Sequence, residues 1–162
     1  MTATTHRKAE IDFPSDLEIR IKRKFDAPRE LVYDCATKPE HLVKWWGART
    51  HELIECKVDL RVGGGYRFVL REPGGTEVGF HGEYLELTRP ERIKQTFIYE
   101  PYTDHGAVET TTFEQVEGGT LLTVVILHKS KFGRDGMFNA GMEGGMNASH
   151  ACLDELLASL QA

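Results

Sequence analysis

Between Thr50 and Lys129 turn-forming residues recur every few positions, and no other feature constrains the fold of this chain so tightly. Gly63-Gly64-Gly65, Pro73-Gly74-Gly75, Arg89-Pro90-Glu91, Asp104-His105-Gly106 and Glu117-Gly118-Gly119 punctuate segments rich in Val, Ile, Leu, Thr, Tyr and Phe. Each cluster reverses the chain cheaply, and the β-branched and aromatic residues between clusters favour extended backbone. The spacing predicts six antiparallel strands joined by tight turns. Upstream, Leu17, Ile19 and Ile21 alternate with Glu18, Arg20 and Lys22, the period of a half-buried strand. The expected sheet therefore has about seven strands.

Helical signals bracket this run. Asp26 is expected to cap a helix that Pro28 opens, over Arg29 to Thr37, with Leu31, Val32 and Cys35 turned inward. Pro39 starts a second short helix through Leu42, Val43 and Trp46 that Gly47 ends. At the C-terminus Met146, His150, Leu153, Leu157 and Leu160 recur at three- and four-residue steps, the stripe of one amphipathic helix. Gly141, Gly145, Ala148 and Cys152 form a small-residue face beside it, suited to close backbone approach, and Gly144-Gly145 predicts a local bend. Many strands followed by one long helix specify an α+β architecture, in which a curved sheet wraps the helix and two short helices follow the first strand.

At 162 residues, 40% hydrophobic and 28% charged, the chain suits one domain, expected over 15–162 with a flexible segment at 1–14. A formal net charge of −5 argues against a nucleic-acid surface, which needs clustered cations that release counterions. The one basic run, Arg20, Lys22, Arg23 and Lys24, reads as a solvated strand face. No apolar stretch is long enough to span a bilayer, and Met1 to Phe13 lacks the apolar core of a signal peptide. Cys35, Cys56 and Cys152 are too few and scattered for a disulfide framework or a metal knuckle, so a reducing cytoplasmic location is expected. The seven histidines are dispersed, and no HExxH or paired-cysteine spacing points to a metal; none is expected, nor any cofactor. The serines sit in no GxSxG elbow, and no cysteine has an obvious neighbouring base.

The strand registers place candidate side chains on the face toward the helix. Ile93, Gln95, Phe97 and Tyr99 share one parity, as do Leu122, Val124, Ile126 and His128, whereas Lys94, Thr96, Thr110, Thr112 and Thr123 occupy the opposite one. Glu109 shares the parity of Thr111 and Phe113, so its carboxylate points inward unless local twist leaves it wet. His128 and His150 offer a hydrogen bond or a proton in apolar surroundings, or are simply satisfied core histidines. Trp45 and Trp46 suggest one indole in the core and one at a cavity mouth; the plainer reading has both closing the end of the sheet. The glycines at 63–65 read as a tight turn rather than a phosphate cradle, because no helix start follows them. Met137, Met142 and Met146 fit core filling or an adaptable ligand wall.

Several segments in order resemble one family. They are Phe25-Asp26-Ala27-Pro28-Arg29-Glu30-Leu31-Val32-Tyr33, Pro39-Glu40-His41-Leu42, Trp45-Trp46-Gly47 and Asp59-Leu60-Arg61-Val62-Gly63-Gly64. Downstream follow Gly82-Glu83-Tyr84-Leu85-Glu86, Pro90-Glu91-Arg92-Ile93, Thr112-Phe113-Glu114, Gly119-Thr120-Leu121-Leu122-Thr123 and Gly141-Met142-Glu143. Together, over roughly Leu17 to Leu160, they resemble the activator-of-heat-shock-ATPase homologue family of the START-like, or SRPBCC, superfamily, which includes birch-pollen allergens and polyketide cyclases. The resemblance implies a helix-grip fold with a deep hydrophobic cavity and names no chemistry, because superfamily members range from lipid carriers to cyclases. The co-chaperone that gives the family its name makes its chaperone contacts with a further N-terminal domain, for which this chain is expected to have no room; stimulation of a chaperone ATPase is disfavoured.

The expected function is binding of a small hydrophobic or aromatic molecule, as carrier or sensor, in a cavity between sheet and C-terminal helix. Its expected lining is Trp46, Tyr66, Phe68, Phe97, Tyr99, Glu109, Phe113, His128, Met142, Met146 and His150. The alternative is a cyclase-, dehydratase- or hydrolase-type enzyme using the same polar groups as acid and base. A homodimer is a possible partner state.

Overall fold

The computed structural model of the protein describes residues 7–47, 51–101 and 106–162. Alternating burial marks the strands: in β2 (Glu18–Phe25) Ile19, Ile21, Arg23 and Phe25 are buried while their neighbours are half-exposed. Before it lies β1 (Glu10–Ser15), and after it α1 (Arg29–Thr37) and α2 (Pro39–Trp45). The meander then runs through β3 (Glu52–Val58), β4 (Gly65–Arg71), β5 (Glu77–Thr88), β6 (Arg92–Tyr99), β7 (Ala107–Val116) and β8 (Gly119–His128). The C-terminal helical stretch comprises α3 (Lys131–Met137), a π-helical turn (Phe138–Met142) and α4 (Glu143–Leu160). Every strand pairing is antiparallel, in the order β1-β2-β8-β7-β6-β5-β4-β3, giving one eight-stranded sheet. This is the α+β helix-grip architecture.

The six strands expected from the turn signals are β3 to β8, and the strand begun at Leu17 is β2. The Asp104-His105 turn and the first six residues lie outside the described residues. The eighth strand is β1, which occupies the last five residues, 10–14, of the segment expected to be flexible. It pairs Ile11 with Ile21, and Ala9 just before it donates its N–H to the Asn147 side chain of α4. Its strand character is hidden because only Ile11 and Phe13 are apolar on its inner parity, and Pro14, tolerated on an edge strand, sits where the register breaks.

Three local expectations are corrected. The helix α1 has Pro28 at its N-cap without a side-chain hydrogen bond; Asp26 pairs instead with Arg7. Arg23 is not on a solvated face. It shares the parity of Ile19, Ile21 and Phe25, so the strand carries it inside, where it is 3% exposed, grips Asp154 of α4 through two 2.7 Å hydrogen bonds and lies over the Phe25 ring. The break in the C-terminal helix falls at Gly141, whose φ of 88° suits only a residue without a side chain, and α4 runs unbroken through Gly144-Gly145. Open space lies where Cβ atoms would stand at Gly141 and Gly145, so this small-residue face is not held to a neighbouring backbone. Farther along α4, Ser149 accepts a hydrogen bond from the Gly47 N–H at the end of α2, while Leu160, expected inward, is exposed.

The core has two parts. One lies under α1, α2 and the C-terminal half of α4, and includes Phe25, Val32, Leu42, Phe113, Leu122, Leu153 and Leu157. The other gathers Ala9, Ile19, Ile21, Ala107 and Ile126, with Met137, Phe138, Met142 and Met146 packed on it. Between them lies the centre of the concave sheet.

Candidate functional site

Register defines rows of inward side chains running across the concave face. One row links Tyr84 on β5, Gln95 on β6, Glu109 on β7, Ile126 on β8 and Ile19 on β2. The next toward one end pairs Phe97, Ala107 and His128; the next toward the other pairs Ile93, Thr111, Val124 and Ile21. Glu109 thus stands in the row that joins the two parts of the core. The cost of a carboxylate there is the loss of its hydration, and the structure supplies nothing in return: no hydrogen bond to Glu109 occurs among the described residues. Desolvation raises its pKa from 4.5 to about 7, so near neutrality it titrates between acid and carboxylate.

Glu109, although walled in by protein, is only half-buried by surface, and Gln95, Phe97, Thr111 and Val124 around it are half-buried as well. On the same strands Ile93, Phe113, Leu122 and Ile126 are closed off. Inward-facing groups that keep accessible surface at the middle of a face, ringed by sealed ones, mark an incompletely packed patch between the two parts of the core. Its aromatic side is continuous: Trp46 packs on Phe68 at 4.7 Å and on Phe80 at 5.2 Å, Phe80 stacks on Phe97 at 5.5 Å and Tyr99 at 5.4 Å, and Tyr66 meets Phe68 and Tyr84. The approach of the strands here depends on Gly82, where a Cβ would fall 2.0 Å from the Thr96 carbonyl oxygen and 2.7 Å from the Tyr66 hydroxyl. That hydroxyl donates to the same carbonyl, and burial raises its pKa, with the nearby Glu109 adding to the effect. On the other side stand Met142, Met146 and His128.

The two histidines differ in their surroundings. His128 is 4% exposed and neither ring nitrogen has a partner; burial and the charge of Arg134 both lower its pKa and keep it neutral. His150 packs edge-on against Phe25 at 5.2 Å, with Nδ1 unpartnered, and burial, helped by Arg23, pushes its pKa down to about 3. Its neighbours Arg23 and Phe25 lie beside Leu122 and Thr120, four and six residues along β8 from the Glu109 row, roughly 13–20 Å at the usual strand rise.

The residues expected at the site therefore divide. Trp46, Phe97, Tyr99 and Glu109 keep accessible surface around the centre of the concave face, Met142 and Met146 pack on the second part of the core, and His128, though in the neighbouring row, is buried, whereas Tyr66 and Phe68 are sealed into the same cluster as Phe113 and His150 packs against Phe25. Of the tryptophan pair, Trp45 is the core member, its N–H donated to the Cys35 carbonyl, and Trp46 borders the accessible centre. Phe80 was not singled out in the sequence, and Thr111, though placed on the parity of Glu109, was not among the expected lining. Phe80 shares the parity of Tyr84, the signal that would have found it, but short apolar runs broken by Gly79 and Gly82 hide that parity. Burial raises the Cys35 and Cys56 thiols to about 11, so neither is a thiolate nucleophile at neutral pH. Among the described residues no group of three or more His, Cys, Asp or Glu side chains is placed to hold a metal, and no helix is long and apolar enough to cross a membrane.

Two open concavities occur elsewhere. One sits at the β3–β4 corner around Lys57, Asp59 and Gly65, the other on the outer face around Glu55, Arg67, Glu77 and Glu100. Their charged groups already satisfy one another: Arg67 pairs with both Glu55 and Glu100, and His81 Nδ1 lies 2.9 Å from Glu100. Unspent polar capacity is found instead on the concave side.

A sheet closed over a long helix, with aromatic and polar groups left accessible between them, defines a helix-grip protein of the START-like type. The chain belongs to the family described as activator of Hsp90 ATPase homolog 1-like protein, whose model matches residues 26–158. Among solved structures, a Rhodobacter sphaeroides protein is similar at 27% identity with a TM-score of 0.88, over 94% of this chain and 99% of that one. A Nitrosomonas europaea protein is similar at 26% identity and a TM-score of 0.81, over 92% and 99%. An AHSA1-like protein from Aeromonas hydrophila, 18% identical over 86% of this chain and 94% of its own, shares the fold with a TM-score of 0.70. No curated protein matches the chain.

Proposed function

We propose that the protein binds a small hydrophobic or aromatic molecule between the centre of the concave sheet and the C-terminal helix, as a carrier or sensor. One observation carries this reading: inward-facing Gln95, Phe97, Glu109 and Thr111 keep accessible surface between two sealed parts of the core. Folding ordinarily removes such surface, at roughly 25 cal/mol per Å² of apolar area, so leaving it uncovered reserves that energy for a ligand. The family fold favours the same reading. The helix side is suited to admit a guest, because Met142 and Met146 are pliable and the π-helical turn with Gly141 interrupts the helix beside them.

The test is a fluorescence titration with N-phenylnaphthylamine, together with native mass spectrometry of freshly purified protein. Saturable binding to the wild type that is lost in Thr111→Trp, where an indole fills the centre of the face, is expected. A folded wild type with neither a retained molecule nor a saturable signal ends the proposal.

Catalysis is the second reading. A carboxyl titrating near pH 7 is matched to proton transfer at working pH, and His128 is its diagonal neighbour. It requires turnover that Glu109→Gln abolishes while ligand binding persists.

A further inference from the structure

The concave face carries an unbalanced set of charges. Among the described residues its one acidic side chain at the centre is Glu109, and no cation of the described strands and helices is left over to meet it. Arg23 is occupied by Asp154. Arg134, the cation near His128, pairs with Asp135, donates to the Ser15 carbonyl and lies over the Phe13 ring. The remaining strand cations, among them Lys22, Lys94 and Arg67, fall on the outer parity. An anionic head group at the centre would face a carboxylate with no compensating charge.

Geometry adds a second element. Glu109 lies opposite Ile126, and His128 is two residues farther along β8, so the two are diagonal neighbours about 7–8 Å apart at their Cα atoms. Side chains of that length converge on one ligand atom. Both nitrogens of His128 are buried without a partner, and Glu109 receives no hydrogen bond among the described residues. A neutral imidazole offers one acceptor and a carboxylate offers two oxygens, so the vacancy is chiefly one for donors. The aromatic side adds the electron-rich faces of Phe97 and its neighbour Phe80, which attract cations.

Resting on the binding proposal above, we infer that the ligand class is a hydrophobic amine in its ammonium form. Its N–H groups donate to the Glu109 carboxylate and to His128, and its apolar body lies against Phe97, Phe80 and Trp46. A hydroxyl can donate to Glu109 and accept from the His128 N–H but brings no charge; an ammonium has three N–H groups, reaches the acceptors of both residues and alone supplies the positive charge that the carboxylate lacks. A carboxylate ligand has no proton to donate. Selectivity thus follows the order amine, alcohol, acid on a common apolar body.

The experiment compares naphthylmethylamine, naphthylmethanol and naphthoic acid by calorimetry at pH 7, against wild type and Glu109→Gln. The amine is expected to bind at least about tenfold more tightly than the alcohol, and the acid most weakly. In Glu109→Gln the amine should fall to the affinity of the alcohol, while the alcohol changes by less than about twofold. Equal affinity for amine and alcohol, tightest binding of the acid, or an amine preference that survives in Glu109→Gln overturns the inference and leaves the binding proposal standing. Absence of binding by all three compounds removes that proposal and this inference with it. Should the variant fail to fold by circular dichroism, the order of the three ligands on the wild type decides alone.

Discussion

Under α1 and α2 the concave face is filled, whereas a few residues along the same strands it is not. Phe113, Leu122 and Phe25 meet Tyr33, Leu153 and Leu157 with nothing left accessible. Most polar groups there have partners: Thr120 donates to the Ala27 carbonyl, Trp45 to that of Cys35, and Arg23 to Asp154, with only single nitrogens of Arg23 and His150 left over. At the centre, by contrast, Glu109 and His128 are enclosed without hydrogen bonds, and the helix above them is broken by Gly141. The two halves of the helical cover differ accordingly, since α4 turns leucines onto the sealed end while the π-helical turn and first turns of α4 offer methionines and glycines. One region supplies the stability; the other holds the unspent interactions.

Core truncation tests this contrast most severely. Phe113→Ala should cost about 3–5 kcal/mol in urea unfolding, as expected for a closed-off aromatic. Phe97→Ala, whose ring already keeps accessible surface, should cost clearly less, roughly 1–2 kcal/mol. Equal losses would erase the distinction between the regions.

The pH dependence of stability comes next. Glu109 holds its proton more tightly folded than unfolded, so its contribution is most favourable below pH 4.5 and is lost as pH rises from 4.5 to about 7, by roughly 2–3 kcal/mol. The Glu109→Gln variant should lack that decline, and denaturant midpoints measured from pH 4 to 8 would show it. His150, depressed to about 3, acts oppositely: the folded protein loses stability as pH falls from 6.5 toward 3. Replacement of His150 by Leu should flatten that acid limb, and an unchanged limb would remove its burial as the cause.

Smaller effects belong to ion pairs. Asp154→Asn leaves the buried Arg23 without its countercharge and should cost about 1–3 kcal/mol, moderated because Asp154 is partly exposed. Arg67→Met, in the exposed cluster with Glu55 and Glu100, should leave the denaturation midpoint nearly unchanged, and any difference should vanish in high salt. A larger loss would give the outer face a structural role that its exposure does not suggest.

Turn chemistry and side-chain parity are properties of neighbouring residues, which is why β2 to β8, α1 and α2 were legible in the chain, and with them the inward direction of Glu109, Phe97 and His128. The tryptophan pair was only partly legible: Trp46 was expected in the lining, but that Trp45 is the core member came from its hydrogen bond to the Cys35 carbonyl. Edge strand β1 was not legible, because its two inward apolar residues, Ile11 and Phe13, are too few for a periodic signal and Pro14 follows them. Nor was Arg23, whose charge hid a parity that Asp154, far along the chain, makes affordable. Whether a given inward residue ends in packed core, as Phe113 and His150 do, or keeps accessible surface, as Glu109 does, depends on what stands opposite it. That is decided by where α4 crosses the sheet and where Gly141 interrupts the helix, a matter of contacts between distant segments that no local pattern encodes.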